Sequence, residues 1–231
     1  SLMGPKARDI LQQVTRDDVS NEGFKFGTAR TIGIAGCPVN ALRVTYVGEL
    51  GWELHLPVEY ATTVYDALME AGRDFGLRDA GYRAIESLRL EKGYRAWGSD
   101  IGADHTPAEA GLAWAVKLKQ NIDFKGRKAA EGQRDNGVKK ILACFTTEPD
   151  IVLSGRETIY RNGERVGWLT SGGYGYTVGK SIGYGYVRAS EAIGRDFVLS
   201  GDYELEVATE RVPCAVQLGP LYDPRMERVK C

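Results

Sequence analysis

From residue 139 to residue 218 the chain breaks into short apolar segments separated by glycine or asparagine-glycine turns. No other feature limits the fold as strongly. Strands this short, spaced this closely, bury their apolar faces by curling into a small antiparallel barrel. Residues 157–161 and 164–169 flank Asn162-Gly163, which predicts a hairpin closed by a type I′ turn. Residues 181–187, 203–208 and 212–218 supply further strands. The 29 glycines are the one compositional excess, and they concentrate after Ser154. The change of character places a domain boundary near Gly137, dividing the chain into 1–137 and 138–231.

The first part reads as mixed helix and strand, so the fold class expected for the whole is α+β. Ala7, Ile10, Leu11 and Val14 fall at helical spacing within 6–14. A polar, turn-rich stretch follows over 15–23, then extended chain over 24–34 and a turn at 36–39. The next stretch, RVTYVGELGWELHLP at 43–57, reads as two strands, 44–47 and 52–56, meeting at a tight bend bounded by Gly48 and Gly51. Alternation puts Trp52, Leu54 and Leu56 on one face and Glu53 and His55 on the other. Tyr46, Glu49 and Glu53 gather around that bend, a high polar density for a segment otherwise built to be buried. The plainer reading is a solvated surface hairpin.

Two helices are expected next. Residues 58–73 carry a stripe of Ala61, Val64, Tyr65 and Leu68. Residues 79–92 bury Tyr82, Ile85 and Leu88, leave Arg83, Glu86, Arg89 and Glu91 exposed or paired, and stop at Gly93. Thr106-Pro107-Ala108-Glu109 matches a capping box, but Leu112, Trp114, Val116 and Leu118 alternate like a strand, so the helix it starts is one turn long. A short helix is expected within 124–133, ahead of the polar residues 134–137.

Several function classes are excluded or left unsupported. A net charge of −1 gives no electrostatic basis for nucleic-acid or membrane-surface binding. No apolar run approaches the ~18 residues that span a bilayer, and residues 1–10 lack the apolar core of a secretory signal. Cys37, Cys144, Cys214 and Cys231 share no CxxC spacing, and His55 and His105 have no metal-like neighbours, so no metal site is expected. GGYGYTVGKS at 172–181 has Tyr174 where a phosphate loop requires glycine, and no helix pattern follows it. It reads as a barrel hairpin. Trp52, Trp97 and Trp114 are core or rim aromatics that could stack on a flat ring with polar edges.

Two stretches carry a resemblance. RVTYVGELGWELHLP, together with AGYRAIESLRLEKGYRAWGSDIGADHTPAEAGLAWAVKL, resembles the folate-binding region of the glycine-cleavage T-protein (aminomethyltransferase) family. Within it the phrases YVGELGWEL and ESLRLEKGYRAWGSDI are most similar to the C-terminal module of sarcosine and dimethylglycine dehydrogenases. The resemblance covers essentially the whole chain. It implies an incomplete folate-binding α/β domain followed by the small antiparallel barrel. It also implies tetrahydrofolate as cofactor, a small N-methyl-amine as substrate, and an FAD domain upstream in the same polypeptide. The compartment expected is the bacterial cytoplasm or the mitochondrial matrix.

Residue by residue, the resemblance makes Glu53 the carboxylate that accepts parallel N–H bonds from the pterin edge. Tyr46 and Glu49 become neighbours in that pocket, Trp114 a wall, and Tyr222, in GPLYDP, a C-terminal contact to folate. The family's arginine is replaced here by Ile85, with Arg83 near it as a substitute. No residue matches the family's catalytic aspartate, which is expected upstream of Ser1, so the chain alone is expected to show no turnover with folate and an iminium source. Two other readings stand beside this one: a folate-binding or assembly module without catalysis, and a flavin-free folate-dependent demethylase.

Overall fold

The computed structural model describes residues 1–231 and divides into two compact units, Ser1–Lys92 with Asp223–Cys231, and Gly93–Tyr222. In the first unit, β1 (Leu2–Met3) is followed by α1 (Ala7–Val14), β2 (Ala29–Ile34), β3 (Cys37–Leu42) and β4 (Gly51–His55). The four strands form a sheet in the order β1-β4-β3-β2. A single turn at Val58–Tyr60 leads into α2 (Ala61–Gly72), and α3 (Tyr82–Lys92) follows. Ile10 and Leu11 of α1, Val64 of α2, and Ile32, Val39, Ala41 and Trp52 of the sheet make one buried core with Phe24.

Four expectations in this unit are corrected. Residues 44–47 are not a strand; the partner of β4 is β3, in the register Ala41↔Leu54 and Leu42↔Glu53. Residues 43–50 are therefore a wide loop rather than a tight bend. Local β-propensity loses because the loop's polar groups are satisfied elsewhere: buried Arg43 donates to Phe24 O, and Thr45 Oγ1 accepts from the Val47 amide. Second, the turn expected at 36–39 is Ala35–Gly36, both at positive φ, and Pro38 and Val39 lie in β3. Pro38 is tolerated because β4 pairs with β3 only from Asn40 to Leu42.

Third, Tyr65 does not join the stripe of α2; it is exposed and donates to Asp79. Fourth, α3 is buried at its charged end. Tyr82 is exposed, whereas Arg89, Glu91 and Lys92 are 1–3% exposed. Charged side chains occupy interior positions when partners satisfy them there: Glu86 accepts from Arg89 at 2.8 Å, and Asp223 accepts from Lys92 at the same distance.

The second unit holds α4 (Arg127–Asn136), β5 (Val138–Thr147), β6 (Thr158–Arg161), β7 (Glu164–Gly175) and β8 (Lys180–Ile193). After these come α5 (Arg195–Leu199), β9 (Tyr203–Val207) and β10 (Glu210–Gln217). The strands close an antiparallel barrel in the order β10-β5-β8-β7-β6-β9, with β9 completing the ring against β10. Asn162 and Gly163 both take positive φ, as the predicted type I′ turn requires. Phe145, Ile159, Leu169, Val187 and Leu205 fill the interior. Residues 172–181 form the end of β7, a turn and the start of β8, as the reading against a phosphate loop expected.

The capping box is present: Thr106 N donates to Glu109 Oε2 at 2.8 Å, and Glu109 N to Thr106 Oγ1 at 3.3 Å. The alternating residues after it are not a strand. They hold a single helical turn at Ala113–Ala115, since Ala115 and Val116 bond back to Leu112 and Ala113. The polar residues 134–136 belong to α4 rather than following it.

Candidate functional site

The loop over 43–50 and the strand it enters carry three of the six candidate residues. Its first residue, Arg43, is 1% exposed and donates to the Phe24 carbonyl at 2.6 Å and to Cys231 O at 2.9 Å. Burial, and next the neighbouring charge of Arg8, push the Arg43 guanidinium below its ordinary value. Tyr46 and Glu49 are half-buried on this loop, and Glu49 lies 3.8 Å from Arg228.

Glu53 follows on β4. Its neighbour Trp52 is fully buried in the core, so pleating turns Glu53 to the opposite face. There Glu53 Oε2 meets His55 Nε2 at 3.2 Å, and the carboxylate is 38% exposed. The alternation read from the sequence therefore holds for the strand that bears the central carboxylate, although the strand before it was misplaced. Arg83 lies exposed on the first turn of α3, beside half-buried Ile85.

The remaining two candidates belong to the second unit. Trp114, 79% exposed, forms part of the lining of a cavity of about 660 Å³ with Lys117, Leu118, Gln133 and Arg134. Tyr222 is half-buried at the end of the GPLY segment. The same unit holds a buried polar cluster that sequence reasoning missed. Asp100, 1% exposed, accepts from Thr170 Oγ1 at 2.5 Å, Ser171 Oγ at 2.6 Å and the Ala96 amide at 3.0 Å, while Tyr186 donates to its carbonyl. These bonds pin the turn-rich segment around Asp100 to β7 and β8. Nothing in GSDI marks that aspartate as interior.

Burial raises the Tyr186 phenol above its ordinary value. It also lowers His105, which stacks on Tyr186 at 4.5 Å, with the charge of Lys140 acting in the same direction.

Residues 1–120 match the GCVT N-terminal domain, and residues 140–223 match the glycine cleavage T-protein C-terminal barrel domain. Over its full length the chain is 46% identical to the mitochondrial sarcosine dehydrogenase of Mus musculus, covering 25% of that protein. Over 80% of its length it is 43% identical to the mitochondrial dimethylglycine dehydrogenase of the same species, covering 22%. The chain thus spans about a quarter of the length of these relatives. Its fold matches the crystal structure of glycine cleavage system aminomethyltransferase T from Bartonella henselae. The TM-score is 0.79 at 24% identity, over 96% of this chain and 58% of that one. With one family domain matched over more than half of its residues and the companion barrel matched after it, the chain belongs to the glycine cleavage T-protein family.

Proposed function

We propose that this chain is the folate-binding portion of a tetrahydrofolate-dependent N-methyl-amine dehydrogenase or aminomethyltransferase. The observation that carries the reading is the placement of Glu53: a half-exposed carboxylate on the sheet face opposite Trp52, directly after the loop bearing Tyr46 and Glu49. This acceptor set fits the edge of a 2-amino-4-oxo-pyrimidine, which presents parallel N–H donors and no negative charge. His55 occupies Oε2 of Glu53, so the pair rearranges or shares that oxygen when a donor edge arrives.

Tetrahydrofolate, when bound, supplies the nitrogen nucleophile that takes up the one-carbon unit. The protein's part is orientation: Glu53 fixes the heterocycle's edge, and Tyr46 and Glu49 flank it, which lowers the entropic cost of the transfer. Arg83 is proposed to stand in for the arginine replaced by Ile85. Trp114 and Tyr222 are proposed as further folate contacts, each tested by its own substitution. The reading extends to a small N-methyl-amine substrate, an FAD-bearing part of the same polypeptide and, following the mitochondrial relatives, the mitochondrial matrix. It also keeps the domain division near Gly137. Titrating the 231-residue chain with 5-formyltetrahydrofolate, a stable reduced folate, while following tryptophan fluorescence tests the proposal. A saturable change is expected, and a flat trace refutes it.

A further inference from the structure

Lys92 is a buried ammonium, 2% exposed at its side chain, at the last position of α3. An isolated charge in that position is expensive, so the groups that neutralise it are held firmly. Both come from Asp223: Lys92 Nζ donates to Asp223 O at 2.5 Å and to Asp223 Oδ2 at 2.8 Å. The other carboxylate oxygen, Oδ1, accepts from the Glu227 amide at 2.9 Å and so starts the helical turn Glu227–Lys230. One carboxylate therefore anchors Lys92 and shapes the segment that follows it. Neither family domain extends past residue 223.

The far side of Lys92 faces the loop over 43–50. Gly48 has φ +80, and a Cβ built there would lie 2.9–3.0 Å from Cδ, Cβ and Cγ of Lys92. The loop backbone thus rests on the lysine stem. The segment Asp223–Cys231 meets the loop at both ends as well. Arg43 donates to Cys231 O at 2.9 Å, and Arg228 lies 3.8 Å from Glu49, while Val229, 1% exposed, is buried between these contacts in sequence. The loop so held carries Tyr46 and Glu49.

We propose that Lys92 and the segment Asp223–Cys231 form a latch that fixes the shape of the 43–50 loop, making Lys92 a positioning residue for folate binding. This rests on the folate reading for its consequence, not for its geometry. The latch acts only through the loop. Releasing it loosens the presentation of Tyr46 and Glu49 while leaving Glu53 on its strand.

Hydrogen exchange and folate affinity, measured on the 231-residue chain, test it. In Lys92→Met and Asp223→Asn the amides of 43–50 are expected to exchange about tenfold faster, with β2, β3 and the barrel unchanged. The dissociation constant for 5-formyltetrahydrofolate should rise by a similar factor, and Lys92→Arg should restore part of both. Arg228→Gln alters a side chain that is 57% exposed, a surface change expected to leave the unit folded, so it decides the matter if Lys92→Met fails to fold; a smaller acceleration confined to the loop supports the latch. Unchanged loop exchange in the folded variants overturns it, as does affinity that tracks melting temperature rather than loop exchange. If the wild-type chain binds no folate, the proposed function falls, and the exchange data alone decide whether the latch exists.

Discussion

At the scale of single residues, burial rather than charge type decides what each polar group can do. Asp100 serves as the acceptor for two hydroxyls and one amide in a site closed to water. Asp100→Ala removes the acceptor these three donors share, leaving Thr170 only its bond to the Tyr184 carbonyl at 3.1 Å, so a loss of about 2–4 kcal/mol is expected, read as a lower midpoint in chemical denaturation. A shift below about 0.5 kcal/mol would mean that water reaches the cluster. The thiols divide in the same way. Burial raises Cys144 and Cys214 to about 12, so both are protonated at pH 8, whereas Cys231 is exposed. Iodoacetamide at pH 8 is expected to label Cys231 readily and Cys144 only after unfolding, which mass spectrometry of the digested chain would show.

These interior polar residues are where the sequence was least legible. Arg89, Glu91 and Lys92 read as a salt-bridged helix face, and the Arg89–Glu86 pair fits that reading; their burial was not legible, because the spacing carries no trace of Asp223, 131 positions away in the Lys92 pair. Glu53 was legible because its neighbours alternate, and alternation is a local property.

At the scale of elements, hairpins with their own turn chemistry were readable and pairings across long loops were not. Asn162-Gly163 dictates its hairpin. By contrast, the β-branched residues of 44–47 suggested a strand that the hydrogen bonds of Arg43 and Thr45 abolish. The glycine excess in β7 and β8 also has a specific cause. A Cβ at Gly167 would fall 2.0 Å from the Tyr186 carbonyl oxygen, backbone that cannot retreat without opening the β7–β8 ladder. Gly167→Ala should therefore cost at least about 2 kcal/mol and lower the barrel's melting temperature; an unchanged melting curve would show that the ladder relaxes freely.

The segment that ends the chain answers to pH with a definite sign. Burial raises Asp223, but the bonds from Lys92 and the Glu227 amide and the Lys92 charge outweigh it and hold the carboxyl below its ordinary 3.8. A depressed carboxyl contributes stability that is present above the unfolded value and lost as pH falls through the folded one. The 43–50 amides should thus stay protected at pH 5, relative to intrinsic exchange, and lose protection only below about pH 3.8. Loss between pH 7 and pH 5 would assign control to another group.

At the scale of the whole chain, composition and patterning were enough for an α+β protein ending in a small barrel, and the closed six-strand ring matches that expectation. What patterning could not give was the sheet order β1-β4-β3-β2, because a two-residue edge strand has no periodicity to read. Function rests on family membership together with one carboxylate aimed away from a buried tryptophan. Calorimetric titration of 5-formyltetrahydrofolate into the wild-type chain and Glu53→Gln tests that most directly. A single saturable site in the wild type, weakened about tenfold to a hundredfold by the substitution, is the predicted result. Equal affinity in the two proteins would contradict it, since the pterin edge would then be held somewhere else.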